Sequence, residues 1–342
     1  MDYFNYFSND RTGYLKIKIM NENSNIFLDK KILIYGLGKS GISSFKFLKK
    51  KNQVFLFDDD NKKKLNSDIK KNLISLKLVD KSNFDLIILS PGINNQKCKL
   101  NKFLKKNSKK IYTDLDVFYS FNKNLFITIT GTNGKSTTCE LLYRVLKKQK
   151  YDVRLVGNIG YPILSIKNIK KDTIFVIEAS SYQLEYSKLF KSKFAAILNI
   201  SPDHLERHKT INKYVSAKFK LIKNQNKNSL AFINKYDKLS QTKIRKIKYK
   251  SQIIKVDTKL KKKFINLFQN KYFFSSSNIE NLSFVVHLAK KLNVKKNNLI
   301  EAVNKFKGLK YRQQIIYQNK NISVINDSKS TSYSSSIEML RK

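Results

Sequence analysis

The run Leu125 to Ser136, LFITITGTNGKS, limits the folds open to this chain more than any other stretch. Leu125 to Thr130 is apolar, alternating and rich in β-branched residues, and from Thr137 onward Leu141, Leu142, Val145 and Leu146 recur at helical spacing. Gly131 and Gly134 stand between, so the reading is strand, tight loop, helix. Such a loop turns backbone N–H groups onto a phosphate, and the new helix adds the positive end of its dipole. Lys135 then supplies a point charge and Ser136 a hydroxyl able to ligate magnesium. A nucleoside triphosphate site is expected here. The general pattern G-x-x-x-x-G-K-[ST] is not met, because Ile129 stands five positions before Gly134.

A chain of 342 residues is long enough for two domains and the beginning of a third, each with its own core. Cys98 and Cys139 are the only cysteines, far apart and without metal-ligand spacing, which suits a reducing cytoplasm and needs no disulfide framework. No apolar run long enough to span a membrane occurs, nor the apolar core of a signal peptide, so a soluble cytoplasmic protein with no membrane insertion is expected. The net charge of +44 would ordinarily suggest nucleic acid. It is almost all lysine, spread through the chain, while the arginines (11, 144, 154, 207, 245, 312 and 341) never cluster. A solvated basic surface follows, with nonspecific polyanion binding at low salt and no specific nucleic-acid partner.

Residues 1–25 are polar without a sustained period and read as a loose leader. Order begins at Lys30. A buried strand, Ile32 to Tyr35, runs into Gly36, Gly38 and Gly41, which have G-x-G-x-x-G spacing, with Ser40 inside the turn. A helix over Ser43 to Lys51 and a second strand, QVFLFDDD, follow. Asp58 or Asp59 then stands where a ribose-binding acid is wanted. Alone this would suggest a nicotinamide enzyme, but the same turn cradles any pyrophosphate, that of a nucleotide sugar included. FDLIILSPGI is a third strand ending in Ser90-Pro91-Gly92, a structural turn or a ligand loop. Lys109 to Asn124 reads as a link, with a domain boundary near Phe121.

Strands and helices alternate beyond it. Val153 to Val156 leads into Gly157-Asn158-Ile159-Gly160, and DTIFVIEASSYQLE is a strand that delivers Glu178 at its tip, ahead of Ser180, Ser181 and Gln183. A carboxylate beside a phosphate loop is well placed to hold magnesium. FAAILNISPDHLERH is again strand then loop, with Asp203, His204, Glu206 and His208. A zinc pair of His204 and His208 lacks a third ligand, so His204 is kept for a metal-bound phosphate and His208 reads as a surface residue. Ile211 to Gln225 is a helix whose Lys218, one lysine among many, reads as a solvated charge. Residues 237 to 275 read as short strands and turns. Helices follow over Asn278 to Leu292, carrying Asn281, and over Asn298 to Phe306, and a strand pattern begins near Arg312.

Taken together, TGTNGKST (130–137), GNIG (157–160), EASSYQLE (178–185), NISPDHLERH (199–208), Asn278-x-x-Asn281, Arg312 and NDSKST (326–331) resemble the Mur ligases, the ATP-dependent amide-forming enzymes of peptidoglycan precursor synthesis. The resemblance runs from about Lys30 to the C-terminus, and Ser136, Ser-Ser-Tyr-Gln and Asp203 to His208 favour the branch that adds D-glutamate to UDP-N-acetylmuramoyl-L-alanine. It implies an α/β protein in three parts. Residues 26–121 would be a Rossmann-like UDP-binding unit, 122–309 a central ATPase unit, and 310–342 the start of a third α/β domain.

By the same resemblance Gly131, Thr132, Asn133, Gly134, Lys135, Ser136, Thr137, Asn281, Arg312 and Asp327 would contact ATP. Ser136, Glu178, His204 and Lys218 would serve Mg²⁺, Lys218 as a carbamate. Gly38, Ser40, Asp58, Asp59, Ser90, Gly92, Asn158, Ser180, Gln183, Lys329 and Thr331 would contact the substrates, the last two near the incoming amino acid. The family carries roughly another hundred residues beyond the position of Lys342, about one domain. A fragment, a frameshifted product or one half of a split enzyme is therefore expected, with a non-catalytic nucleotide-binding subunit served by a separate C-terminal domain as the alternative.

Overall fold

The computed structural model describes residues 25–60, 65–259, 267–312, 314–319 and 321–329. Of the expected leader only Asn25 falls among them, and Thr331 falls outside. Strands β1 (Lys31–Tyr35), β2 (Gln53–Phe57), β3 (Leu86–Leu89) and β4 (Ile111–Tyr112) form a parallel sheet in the order β2-β1-β3-β4. Its helices are α1 (Lys39–Leu48), α2 (Ser67–Lys70), α3 (Leu76–Lys81), α4 (Asn101–Lys106) and α5 (Asp114–Phe121). β1 and β3 are buried on both faces, which is why they read as unbroken apolar runs.

The second sheet holds β5 (Leu125–Thr130), β6 (Val153–Gly157), β7 (Ile174–Glu178), β8 (Phe194–Ile197), β9 (Leu230–Asn234) and β10 (Gln252–Val256), all parallel, in the order β10-β9-β8-β5-β7-β6. It is covered by α6 (Lys135–Lys148), α7 (Ser181–Tyr186), α8 (Leu205–His208), α9 (Ile211–Lys223), α10 (Lys238–Lys246), α11 (Ser276–Lys291) and α12 (Lys296–Asn304). The α/β class is as expected, and every strand of these two sheets is parallel. Because β5 lies between β7 and β8, the chain reverses its direction of travel across the sheet there. Ile129 pairs with Glu178 and Thr130 with Ile197, so three strand ends open onto one crevice, where open α/β sheets place ligands. The pair β11 (Gln314–Gln318) and β12 (Ser323–Asn326) is antiparallel.

Several local expectations are corrected. Order starts before Lys30: Asn25 to Asp29 form a turn whose Phe27 is fully buried against Tyr112. The first helix begins at Lys39, inside the glycine turn, since Gly38 caps it. The stretch read as a link holds β4 and α5, opened by a capping box between Thr113 and Asp116. Phe118 of α5 meets Phe175 edge-on at 5.0 Å, so α5 joins the cores of both sheets. Residues 238–246 are helical because the Asp237 carboxylate accepts from Ser240 N at 2.9 Å and caps them.

Candidate active site at the phosphate loop

Gly134 adopts φ +80° and lets the chain turn from β5 into α6, where Leu141, Leu142, Val145 and Leu146 are fully buried. The loop is held from the end of β8. Thr132 N donates to Asn199 O at 2.9 Å, Asn133 N to Asn199 Oδ1 at 2.8 Å, and Asn199 Nδ2 to Glu280 Oε1 of α11 at 2.6 Å. Lys135 curls back, its Nζ donating to the carbonyls of Thr132 at 2.7 Å and Gly131 at 3.0 Å. Burial pushes its amine down, opposed by Glu178 and Asp203 and reinforced by Arg312. Ser136 and Thr137 are buried in the first turn of the helix.

Glu178 is 1% exposed at the tip of β7. Its Oε1 accepts from Asn158 Nδ2 at 2.7 Å, and its Oε2 is buried with no hydrogen-bond partner. A buried, half-satisfied carboxylate beside a phosphate loop fits a cation. Lys218, a solvated charge by its neighbours alone but a metal-site residue by the resemblance, is 1% exposed: α9 turns it inward, and Nζ donates to Gly131 O at 2.7 Å and lies 4.5 Å from the Tyr214 ring centroid. Burial, helped by Lys135, pushes its amine well down, against Asp203 and Glu178. His204 stands at φ +53°, its ring 3.4 Å from an oxygen of Asp203 and 3.6 Å from one of Glu206. His208 is corrected from surface to core. It is 2% exposed, its Nε2 pairs with Ser181 Oγ at 3.0 Å, and its ring stacks on Tyr182. Among the described residues no group of three or more His, Cys, Asp or Glu is arranged to hold a metal.

On the first sheet, Asp58 and Asp59 are turned to structural work. Asp58 accepts from Leu37 N at 2.5 Å and Asp60 N at 2.9 Å, fastening the glycine turn, and Asp59 accepts from Tyr35 Oη at 2.6 Å. Ser90 donates to Gly36 O at 2.6 Å, while Gly38 and Gly92 face open space. Ser40 donates to the fully buried Asp114, which also interacts with Gln183, so the turn is tied to α7. Ser180 and Gln183 form the capping box of α7. Near the loop's other side, Asn281 Oδ1 accepts from Thr138 Oγ1 at 3.2 Å, Arg312 acts electrostatically on Lys135, and Arg312 and Asp327 both act on Tyr272. Lys329 lies over the Tyr311 ring.

Asp203 was not among the expected site residues, yet its charge reaches both Lys135 and Lys218. Its signal was position: an acid just past a strand end, in a chain with 25 acids against 69 bases.

A switch-point crevice, a glycine-lysine-serine loop and converging buried charges define a phosphate-loop α/β protein. Residues 129–303 match the Mur ligase middle domain and residues 30–111 the Mur ligase MurD-like N-terminal domain. The chain is similar to the UDP-N-acetylmuramoylalanine–D-glutamate ligase of Rickettsia prowazekii, at 34% identity over 93% of this chain and 75% of that protein. It is similar also to that of Buchnera aphidicola, at 37% identity over 92% and 75%. Among solved structures it shares the fold of the MurF ligase of Thermotoga maritima in complex with ADP (TM-score 0.54, 16% identity, 92% of this chain and 72% of that one). It shares the fold too of the MurC ligase of Thermotoga maritima (0.51, 17%, 91% and 77%). The chain belongs to the Mur ligase family. Among the described residues no helix is long and apolar enough to cross a membrane.

Proposed function

We propose that this chain is the ATP-dependent ligase that adds D-glutamate to UDP-N-acetylmuramoyl-L-alanine in peptidoglycan precursor synthesis. The single observation that carries the reading is that Lys135 and Lys218 both donate to the carbonyl of Gly131 in the phosphate loop, with Glu178 delivered beside them at the end of the neighbouring strand. We read it as three units, 26–121 for the sugar nucleotide, 122–309 for ATP, and a third beginning at 310.

A free carboxylate is a poor acyl donor, so the alanyl carboxylate first attacks the γ-phosphorus of ATP. ADP departs and an acyl phosphate forms. The uncharged amine of D-glutamate then adds to the acyl carbon, and the tetrahedral intermediate gives up the amine's proton, to the departing phosphate or to water, and expels phosphate to leave the amide. Lys135 leaves its backbone carbonyls for the β- and γ-phosphates, stabilising charge that builds on the transferring group. Ser136, Glu178, His204 and a carbamylated Lys218 would hold Mg²⁺, which neutralises phosphate charge when bound. The depressed basicity of Lys218 suits the carbamate, because only an uncharged amine adds to CO₂. Asn158 keeps Glu178 aimed, and Asn281, Arg312 and Asp327 bound the nucleotide. Gly38, Ser40, Ser90 and Gly92 receive the uridine nucleotide, Ser180 and Gln183 line its path toward ATP, and Lys329 faces the amino acid. Asp58 and Asp59 act by holding the turn in shape.

The test is phosphate release by the purified chain with Mg²⁺ and ATP, read with mass spectrometry of the nucleotide product. Release that requires both UDP-N-acetylmuramoyl-L-alanine and D-glutamate, with a product one glutamyl residue heavier, is expected. Release indifferent to either substrate overturns the reading.

A further inference from the structure

Arg207 is 4% exposed, a depth at which a guanidinium is kept only with a reason. It follows β8 in the second sheet's chain, yet its Nη1 donates to the carbonyl of Pro91, in the loop after β3 of the first sheet, at 2.6 Å. The same loop returns the contact, with Gln96 Nε2 donating to Arg207 O at 3.2 Å. Its guanidinium carbon lies 3.9 Å from the centroid of Tyr182, a distance at which a planar cation is strongly attracted to a ring face. Nε approaches Glu185 Oε2 only to 3.6 Å, and Nε and Nη2 are buried without a hydrogen bond. A charge so incompletely paired contributes little net stability, which argues that it is retained for geometry.

The contacts continue inward. Tyr182 stacks on His208 at 5.6 Å between ring centres, and His208 meets Tyr214 at 5.3 Å. Tyr214 Oη pairs with Thr132 Oγ1 of the phosphate loop at 3.1 Å, and Lys218 lies over the same ring. One unbroken column of packed rings thus runs from Pro91, between Ser90 and Gly92, to the loop expected to hold ATP. An acyl transfer across two half-sites depends on the distance between them, and an error of about 1 Å can cost on the order of a hundredfold in rate.

We propose that Arg207 is a positioning residue that braces the Ser90–Gly92 loop against the phosphate loop through Tyr182, His208 and Tyr214, setting the separation of the sugar-nucleotide and ATP half-sites. It rests on the proposed function only for the identity of the two ligands. Lysine cannot replace it, since an ammonium lacks the flat face that stacks on Tyr182 while a second nitrogen reaches Pro91.

The experiment compares the intact wild-type chain with Arg207→Lys and Arg207→Ala. Amide hydrogen exchange is followed over residues 90–97 and 125–146, and calorimetry measures affinity for UDP-N-acetylmuramoyl-L-alanine and for a non-hydrolysable ATP analogue. Exchange over 90–97 should speed up at least tenfold in both variants, with 125–146 unchanged as proof of folding. Affinity for the sugar nucleotide should fall at least tenfold, while that for the ATP analogue changes less than threefold. Unchanged exchange over 90–97 overturns the brace, as does unaltered sugar-nucleotide affinity in the variants of a wild type that binds it. A wild type that binds no sugar nucleotide, with exchange over 90–97 still accelerated in the variants, upholds the brace and overturns the functional reading instead.

Discussion

Asn158 Nδ2 donates to Oε1 of Glu178 at 2.7 Å and leaves Oε2 buried without a partner. One oxygen is therefore fixed by the protein and the other is not, and the proposed cation role of the second can be tested. Glu178→Gln keeps the shape but removes the charge, so affinity for the ATP analogue in magnesium should fall at least tenfold and become indifferent to chelator. Asn158→Ala should fall between the variant and wild type, because the carboxylate keeps its charge but loses its aim. Calorimetric titrations with and without magnesium check both. A Gln variant that binds magnesium and nucleotide like wild type removes Glu178 from the metal site.

Asp116 ties α5 to the second sheet. Its Oδ2 accepts from Thr113 N at 3.0 Å and Thr113 Oγ1 at 3.1 Å, and its Oδ1 from Ser187 Oγ, Lys188 N, Leu189 N and Phe190 N at 2.7 to 3.0 Å. Substituting Asn puts an N–H₂ group against some of these donors and strands buried amides, for which about 3 to 5 kcal/mol is expected. Urea denaturation measures it, with the slope unchanged and the midpoint lowered. A cost under about 1 kcal/mol would mean that solvent reaches the 187–190 turn.

Much of the site was legible because it is written in local pattern. Alternating β-branched residues before glycine announced β5, and a lone glutamate ending an apolar run announced the tip of β7. The depth of His208 was not legible in its immediate neighbours, whereas Lys218 stands on the helical face of Tyr214, Val215 and Ile222, a spacing hard to pick out among 69 basic residues. Tyr214 reaches both and the phosphate loop: Lys218 lies one turn along the same helix, while His208 and Thr132 are met from outside it. The helices α5 and α10 did carry signals, in the Thr113-x-x-Asp116 box and the Asp237 cap, masked by their shortness and by the lysine-rich composition around α10.

His208 gives the stability a pH dependence of known sign. Burial, helped by the positive charge of Arg207, pushes its imidazole down to about 4. The unfolded chain takes up the same proton near the ordinary 6.5, so between those values the unfolded state binds more protons and stability falls as pH falls. The contribution is fully present above about pH 6.5 and fully lost below about 4, and at ~1.4 kcal/mol per pH unit the loss is about 3 kcal/mol. His208→Phe keeps the stack with Tyr182 and Tyr214 and should flatten the profile between pH 4 and 6.5 relative to wild type. Some slope remains from His287, which burial also pushes down. Parallel profiles for variant and wild type in urea titrations would show that His208 takes up its proton alike in both states.

Gly134 and Asn281 are expected to depend on each other. A Cβ built on Gly134 would lie 2.0 Å from Asn281 Oδ1, and the backbone there has φ +80°, so alanine meets two separate penalties. The left-handed conformation costs about 1 kcal/mol whatever surrounds it. The overlap must push Asn281 aside and break its contact with Thr138, at a further cost of about 1 to 3 kcal/mol for the displaced buried amide. A double-mutant cycle separates the two, since Asn281→Ala deletes the offending oxygen but leaves the dihedral angle unchanged. Gly134→Ala should therefore be costlier in the wild-type background than in Asn281→Ala, by at least about 1 kcal/mol in urea denaturation. Additive costs would mean that the dihedral alone demands glycine. In either background the alanine also withdraws the turn that aims the loop amides, so affinity for the ATP analogue should drop at least tenfold.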